Sequence, residues 1–318
     1  MGTSSGDGMT SPRLCALCGE SAARPLFAVG PDNFLRCRAC GFVQMSPLPA
    51  PAGPGEDYAG FDLESYAAFM AEFRRPQYER DLALIRERAS GGRLLDIGCG
   101  LGDFLDVVAA GGFRAYGLEP SRKASEIARR RHTVVRGELG QVKLREGAFA
   151  AATLWSVLEH VPDPAAFLAE ARSLLAPGGV LALRVPDVSG LLPALALAAW
   201  RLTFHRLDLP LRILYQLDWH YKHLYGFDRR TIVRLLEQGG FAVEAVRSEP
   251  SFSFGSLRRR MDYLPLRGAA RAAARVALGA ILVAARLTRR QDELVVIARR
   301  TGRGRGGDET SPIGTLKY

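Results

Sequence analysis

The sequence predicts an α/β fold: a Rossmann-like, largely parallel sheet, preceded by a small cysteine-bearing module and interrupted by helical inserts. Three observations carry this. The apolar run Leu94 to Ile97 leads into Gly98, Gly100 and Gly102, so a strand turns sharply into a helix through a loop without Cβ atoms at alternate positions. A second strand-like run, Ala115 to Leu118, ends in Glu119, 21 residues after Gly98, which sets a carboxylate at the tip of the next strand, where a ribose diol is its natural partner. Finally, four of the five cysteines form two Cys-x-x-Cys pairs.

In chain order, residues 1–12 are polar, rich in Gly and Ser and without the apolar core of a signal peptide, and are read as the disordered start of a cytoplasmic chain. The pairs Cys15/Cys18 and Cys37/Cys40 lie eighteen residues apart, the spacing of a zinc ribbon over 13–45. Gly19 and Gly41 follow the two knuckles and permit the turns that aim four thiolates at one ion. Two disulfides are the alternative, disfavoured in a reducing cytoplasm. The set reads as a closed, structural zinc site. Cys99, in the glycine loop, reads as a small packing residue rather than a nucleophile.

Residues 46–90 form a linker, marked by Pro47, Pro49, Pro51 and Pro54, and then a helical segment over Tyr66 to Arg88. The sheet domain spans 91–300. A dinucleotide fingerprint would need a glycine at 103, where the chain has Asp, so a pyrophosphate cofactor is disfavoured. Ala152 to Trp155 is the fourth strand and Leu158-Glu159-His160-Val161-Pro162 its exit loop. Asp163 caps the next helix with Pro164 in its first turn, and Gly178-Gly179 opens the fifth strand. The cluster Trp219 to Phe227 precedes a helix capped by Asp228 and ended by Gly239-Gly240, and the last strand runs near 293–299. Inserts fall at 187–226 and 250–290, and a mobile tail at 301–318.

The glycine loop, Glu119 and the Leu-Glu-His-Val-Pro-Asp-Pro run together resemble the class I S-adenosylmethionine-dependent methyltransferases over roughly 93–248 and the last strand. The front module is similar to zinc ribbons that precede methyltransferases of sugar and natural-product pathways. The resemblance implies a seven-stranded sheet with an antiparallel last strand. It also implies that Asp96, Gly98, Gly100 and Gly102 surround the methionine part of the cofactor, that Glu119 holds the ribose and Glu138 the adenine amine, and that the backbone at Trp155 and Ser156 lines the pocket. His160 is the candidate general base, provided its pKa stays near the ordinary imidazole value; orienting the loop is its other reading. His220, His223 and Tyr225 are candidates for the acceptor site or its wall. Some quinone-type members hold a divalent cation with Glu-x-x-Glu-His; Ser156 replaces the first Glu here, which speaks against a catalytic metal.

The formal charge of +10 invites a nucleic-acid partner, but all but four of the 43 basic residues are Arg and no aromatic-and-basic module accompanies them. Neither apolar stretch, Gly190 to Trp200 or Val276 to Ala285, reaches the roughly 20 residues of a membrane span. In 264–287, Arg267, Arg271 and Arg275 recur every four residues, the pattern of a helix at an anionic membrane surface and equally of a lid helix. A contact through 258–290 would place the protein peripherally at the inner face of the membrane. The expected activity is methyl transfer to a small-molecule acceptor, such as a sugar, lipid-linked or natural-product-like molecule, at oxygen or carbon. The rivals are a nucleic-acid methyltransferase and a non-catalytic cofactor-binding protein.

Overall fold

The computed structural model describes residues 14–49, 63–89, 91–219, 221–251 and 267–302. The expected α/β architecture is present as a seven-stranded sheet. Its strands are β4 (Gly92–Ile97), β5 (Phe113–Glu119), β6 (Thr133–Arg136), β7 (Phe149–Trp155), β8 (Leu175–Pro186), β10 (Phe241–Glu249) and β11 (Glu293–Arg300). The order is β10-β11-β8-β7-β4-β5-β6. Strands β8, β7, β4, β5 and β6 are parallel, while β11 runs antiparallel to both neighbours. Central strands covered on both faces must be apolar throughout, and β7 is nearly so, every residue but Ala150 being buried.

Helices α1 (Leu63–Arg86), α2 (Asp103–Ala110), α3 (Arg122–Arg129), α4 (Pro164–Leu174) and α7 (Arg229–Gln238) cover the sheet. The expected caps are in place: Asp163 accepts from the amides of Ala165 and Ala166, and Asp228 forms a reciprocal capping box with Thr231.

A second sheet lies in front, with strands β1 (Ala23–Val29), β2 (Asp32–Cys37), β3 (Val43–Met45) and β9 (Tyr225–Gly226). Its last strand comes from the far end of the first insert: β3 pairs with β9 through Val43 opposite Gly226 and Gln44 opposite Tyr225. The insert helices α5 (Leu191–Leu202) and α6 (Leu209–Leu214) close over this sheet with an aromatic knot. Phe27 stacks on Phe34 at 4.6 Å, Tyr215 meets both rings, and Trp200 lies 6.3 Å from Phe27. One apolar core runs from Phe27, Phe34 and Phe42 through Trp200 and Tyr225 to Leu95 and Leu154 of the large sheet.

The second insert contributes helix α8 (Gly268–Leu287), which packs on α5. Here two expectations need correction. Arg267 precedes the helix as its N-cap and Arg271 sits on the half-buried side, so the arginines form no single exposed stripe. By length and composition α8 does suffice to cross a membrane, because a helix frame tolerates isolated arginines that interrupt an uncharged run. Residues 258–266, part of the expected membrane contact, lie outside the described residues.

Arg184 of β8 is fully buried beneath the centre of the sheet. It donates to Asp81 of α1 at 2.8 Å and to Glu293 of β11 at 2.7 Å, with Glu249 of β10 at 3.4 Å. A buried charge is tolerable only when paired in this way. Replacing the guanidinium, as in Arg184→Leu, strands two buried carboxylates, and urea denaturation is expected to show a loss of about 3–5 kcal/mol.

Candidate active site

The cofactor end is built from backbone geometry. Gly98, Gly100 and Gly102 have φ of 73°, 53° and 87°, a region costly for residues with a Cβ. At Gly98 a Cβ would also stand 2.6 Å from Cγ2 of Val157, so the protein's own packing favours glycine there. Glu119 ends β5 with its carboxylate turned onto the loop, accepting from the amides of Gly100 at 2.8 Å and Ser121 at 2.9 Å. Asp96 is buried and accepts from Thr153 Oγ1 at 2.6 Å. Burial raises its pKa to about 7 against that hydrogen bond, and the Glu119 charge adds to the rise.

Cys99 fills the notch left by Gly117, where a Cβ would approach its Sγ to 2.6 Å, and burial pushes its thiol far up; it packs, as expected. Glu138 is exposed after β6 and accepts from Gln141 Nε2 at 2.7 Å. Trp155 is buried with its ring against Phe104 and Tyr78. Ser156 has a positive φ of 56°, a strained backbone of the kind found where a strand hands over to a site.

A second cluster of site candidates lies where β7 exits. Glu159 and His160 meet His223 from the insert, each offering a ligand-type atom within 4.8 Å of the others. The imidazole rings of His160 and His223 cross at 4.9 Å. The Nδ1 of His160 is 3.0 Å from the carbonyl oxygen of Lys222. The near-ordinary pKa on which a His160 base depends is not found: burial pulls it down to about 4. His223 is driven well below the usual imidazole range by burial and by His160. Burial pushes Glu159 up to about 8.

Tyr225, expected in the acceptor site or its wall, donates its hydroxyl to the carbonyl of Pro162 at 2.7 Å and stacks its ring on Phe42. His220 lies outside the described residues. Glu159, legible in the sequence only as the neighbour of His160 at the end of a central strand, is fully buried beside the two histidines.

The four cysteines also converge. Cys15 Sγ is 3.6 Å from Cys40 Sγ, as is Cys18 Sγ from Cys37 Sγ. All four sulfurs lie within 4.8 Å of one another, and each cysteine is free. About 3.7 Å is the edge of a tetrahedron with 2.3 Å metal–sulfur bonds, so the set fits a tetrahedral thiolate-bound ion.

The sequence pattern of a methyltransferase domain family matches residues 70–246, more than half of the chain, and the chain belongs to that family. Its fold is that of the class I S-adenosylmethionine-dependent methyltransferases. It is similar to an uncharacterized 37.1 kDa protein in transposon TN4556 of Streptomyces fradiae, 41% identical over 107 residues, or 30% of this chain and 31% of the relative. It is also similar to a ubiquinone biosynthesis O-methyltransferase of Bordetella bronchiseptica, 29% identical over 155 residues, or 42% of this chain and 64% of the relative. The chain thus spans less than two thirds of the length of these curated relatives. Among solved structures, phosphoethanolamine N-methyltransferase 2 of Haemonchus contortus in complex with S-adenosyl-L-methionine shares the fold, with a TM-score of 0.53 and 14% identity over 87% of this chain and 71% of that one.

The raised Asp96 pKa has a defined sign. A carboxyl whose folded pKa lies above its unfolded value near 3.8 contributes stability at low pH that is lost as pH rises toward about 7. In ligand-free protein, urea unfolding at pH 5 and pH 8 is expected to show wild type losing on the order of 3 kcal/mol more than Asp96→Asn.

Proposed function

We propose that the chain transfers the methyl group of S-adenosylmethionine to oxygen or carbon of a small-molecule acceptor such as a sugar, a lipid-linked molecule or a natural product. The observation that carries this reading is the meeting, at one sheet edge, of a cofactor-type glycine loop and Glu119 with the buried Glu159 and His223 and the half-buried His160 under an insert. Asp96, Gly98, Gly100 and Gly102 would hold the methionine part, Glu119 the ribose, Glu138 the adenine, and the backbone at Trp155 and Ser156 the pocket wall. The bound sulfonium supplies an already activated methyl group, so the protein's task is to align the acceptor and exclude water. The O-methyltransferase named among the relatives supports a small-molecule acceptor over a nucleic acid. Cys15, Cys18, Cys37 and Cys40 would hold a structural zinc that keeps β3 in register with β9.

An apolar platform supports a lipid-linked acceptor. Leu202 and Phe204, at the end of α5, are 80% and 87% exposed, and Leu209 and Ile213 of α6 are exposed nearby. On α8, which packs on α5, Val276, Val283 and Leu287 are exposed at spacings that share one helix face. Exposed arginines at 201, 206, 275, 286 and 289 accompany them. An apolar face amid cations is the composition of a segment lying in the headgroup layer of an anionic membrane. Spanning is disfavoured, because α8 would have to leave α5 and carry Arg271 and Arg275 into hydrocarbon.

Calorimetry is expected to show that Gly100→Val abolishes binding of S-adenosylhomocysteine while circular dichroism stays unchanged; unaltered affinity would remove the reading. Cys18→Ser should release one zinc per chain and loosen 13–45 without abolishing cofactor binding, as elemental analysis and limited proteolysis would report. In flotation assays, wild type should rise with anionic but not neutral liposomes. Arg275→Gln with Arg286→Gln should weaken that binding by about tenfold or more, at roughly 1 kcal/mol per arginine.

A further inference from the structure

Beside β6, the last strand of the large sheet, three cations converge on an open hollow. It has a volume of about 440 Å³ and is lined by Arg129, Val135, Arg136, Gln141, Val142 and Lys143. Its walls come from the end of α3, from β6 and from the loop that follows. Two local features shape it. Gly137 has a φ of 151° and packs so closely on the returning chain that a Cβ there would stand 2.3 Å from Val142 Cγ2. The amide of Gln141 donates to the carbonyl of Glu138 at 3.1 Å. The chain therefore doubles back, and Lys143 returns to the hollow that Arg136 lines.

Like charges gathered in one hollow disfavour one another, yet no acid lines it. Arg136 and Lys143 are exposed and make no hydrogen bond or ion pair among the described residues. Arg129 donates through Nε to the carbonyl of Val134 at 2.9 Å, which fixes the arm and spends one of its donors. Of the acids around the hollow, Glu138 accepts from Gln141 Nε2 at 2.7 Å and Glu126 from Arg122 at 3.0 Å. Val135 is buried and Val142 half-buried, so the floor between the cations is apolar.

We propose that this hollow binds a small phosphate ester, with Arg129, Arg136 and Lys143 on the phosphate oxygens and the organic part of the ester against Val135 and Val142. Guanidinium groups present paired N–H donors that match phosphate geometry, and an ammonium adds a point charge. Three cations exceed what one carboxylate neutralises, which favours a phosphate carrying close to two negative charges. The ligand is a soluble molecule rather than a lipid headgroup. Strand β6 closes the sheet at the edge opposite β10 and β11, between which α8 is inserted, so the hollow and the apolar platform belong to different ends of the sheet. Occupancy of the hollow requires no methyl transfer.

The test titrates the full chain by calorimetry with phenyl phosphate and with inorganic phosphate, against chloride at matched ionic strength, without cofactor or acceptor. Phenyl phosphate is expected to bind at one site per chain, more tightly than inorganic phosphate because its ring covers the valines. Arg136→Gln and Lys143→Gln should each weaken it by about fivefold, and the double variant by more than either, with wild-type circular dichroism. No binding beyond that of chloride, equal affinity for the two phosphates, or undiminished binding in the folded variants would overturn the proposal. Flotation with anionic liposomes separates the two sources of phosphate. The double variant should float as the wild type does, and a loss there would overturn the assignment to a soluble ester.

Discussion

The backbone carbonyl of Glu159 is the joint on which the front half of the molecule hangs. It accepts the amides of Leu224 at 2.7 Å and Tyr225 at 3.3 Å, so the end of the insert is tied to the exit of a central strand. From there the connection continues: Leu224 returns its own carbonyl to the amide of Met45 at 2.8 Å, β9 completes the cysteine-bearing sheet, and Lys222 reaches Asp32. The same residue that anchors this chain of contacts through its main chain presents its carboxylate to the two histidines. Position and chemistry are therefore coupled. Any displacement of the front sheet is felt at His223 and, through Lys222, at His160.

The electrostatics of the sheet edge follow from burial more than from formal charge. Asp96, Glu119 and Glu159 are all buried toward the carboxyl ends of parallel strands or in their exit loops, in a chain whose formal charge is +10. Arg184 neutralises the acids deeper in the sheet, Asp81, Glu293 and Glu249, and none at the edge. At this edge Arg74 offsets part of the negative charge of Glu159, while the groups that shift Asp96 are its burial, Thr153 and Glu119. A sulfonium or ammonium beside Asp96 would relieve the burial that holds its pKa up, so positive charge on a cofactor would be drawn there despite the basic surface.

Much of the scaffold was legible in the sequence because local chemistry and global fold agree there. The Asp163 and Asp228 caps, the three loop glycines and the two cysteine pairs each state a backbone requirement within a few residues. What was hidden depends on long-range approach. Gly98 was readable as a turn, but its contact with Val157 crosses two strands. His160 looked like an ordinary imidazole because no sequence pattern records that the insert buries it. Tyr225 looked chemical because an aromatic hydroxyl beside histidines usually is; only the fold shows that hydroxyl donating to the Pro162 carbonyl. The arginines of the second insert misled for another reason, since spacing gives a helix face but not which way the face turns.

Helix α6 brings the surface and the interior arguments together. Ile213 projects outward from it, while Leu211 on its other side and Tyr215 at its end are buried, Tyr215 against Phe27 and Phe34. The carbonyl of Tyr215 in turn holds the amide of His223. One short helix thus has exposed apolar residues on its outer side and the support of a site histidine on its inner side. A surface patch serving only an unrelated partner would have no need of that arrangement. It would suit the proposed lipid-linked acceptor, because the helix that exposes Ile213 and Leu209 is also the one whose end holds His223 in place.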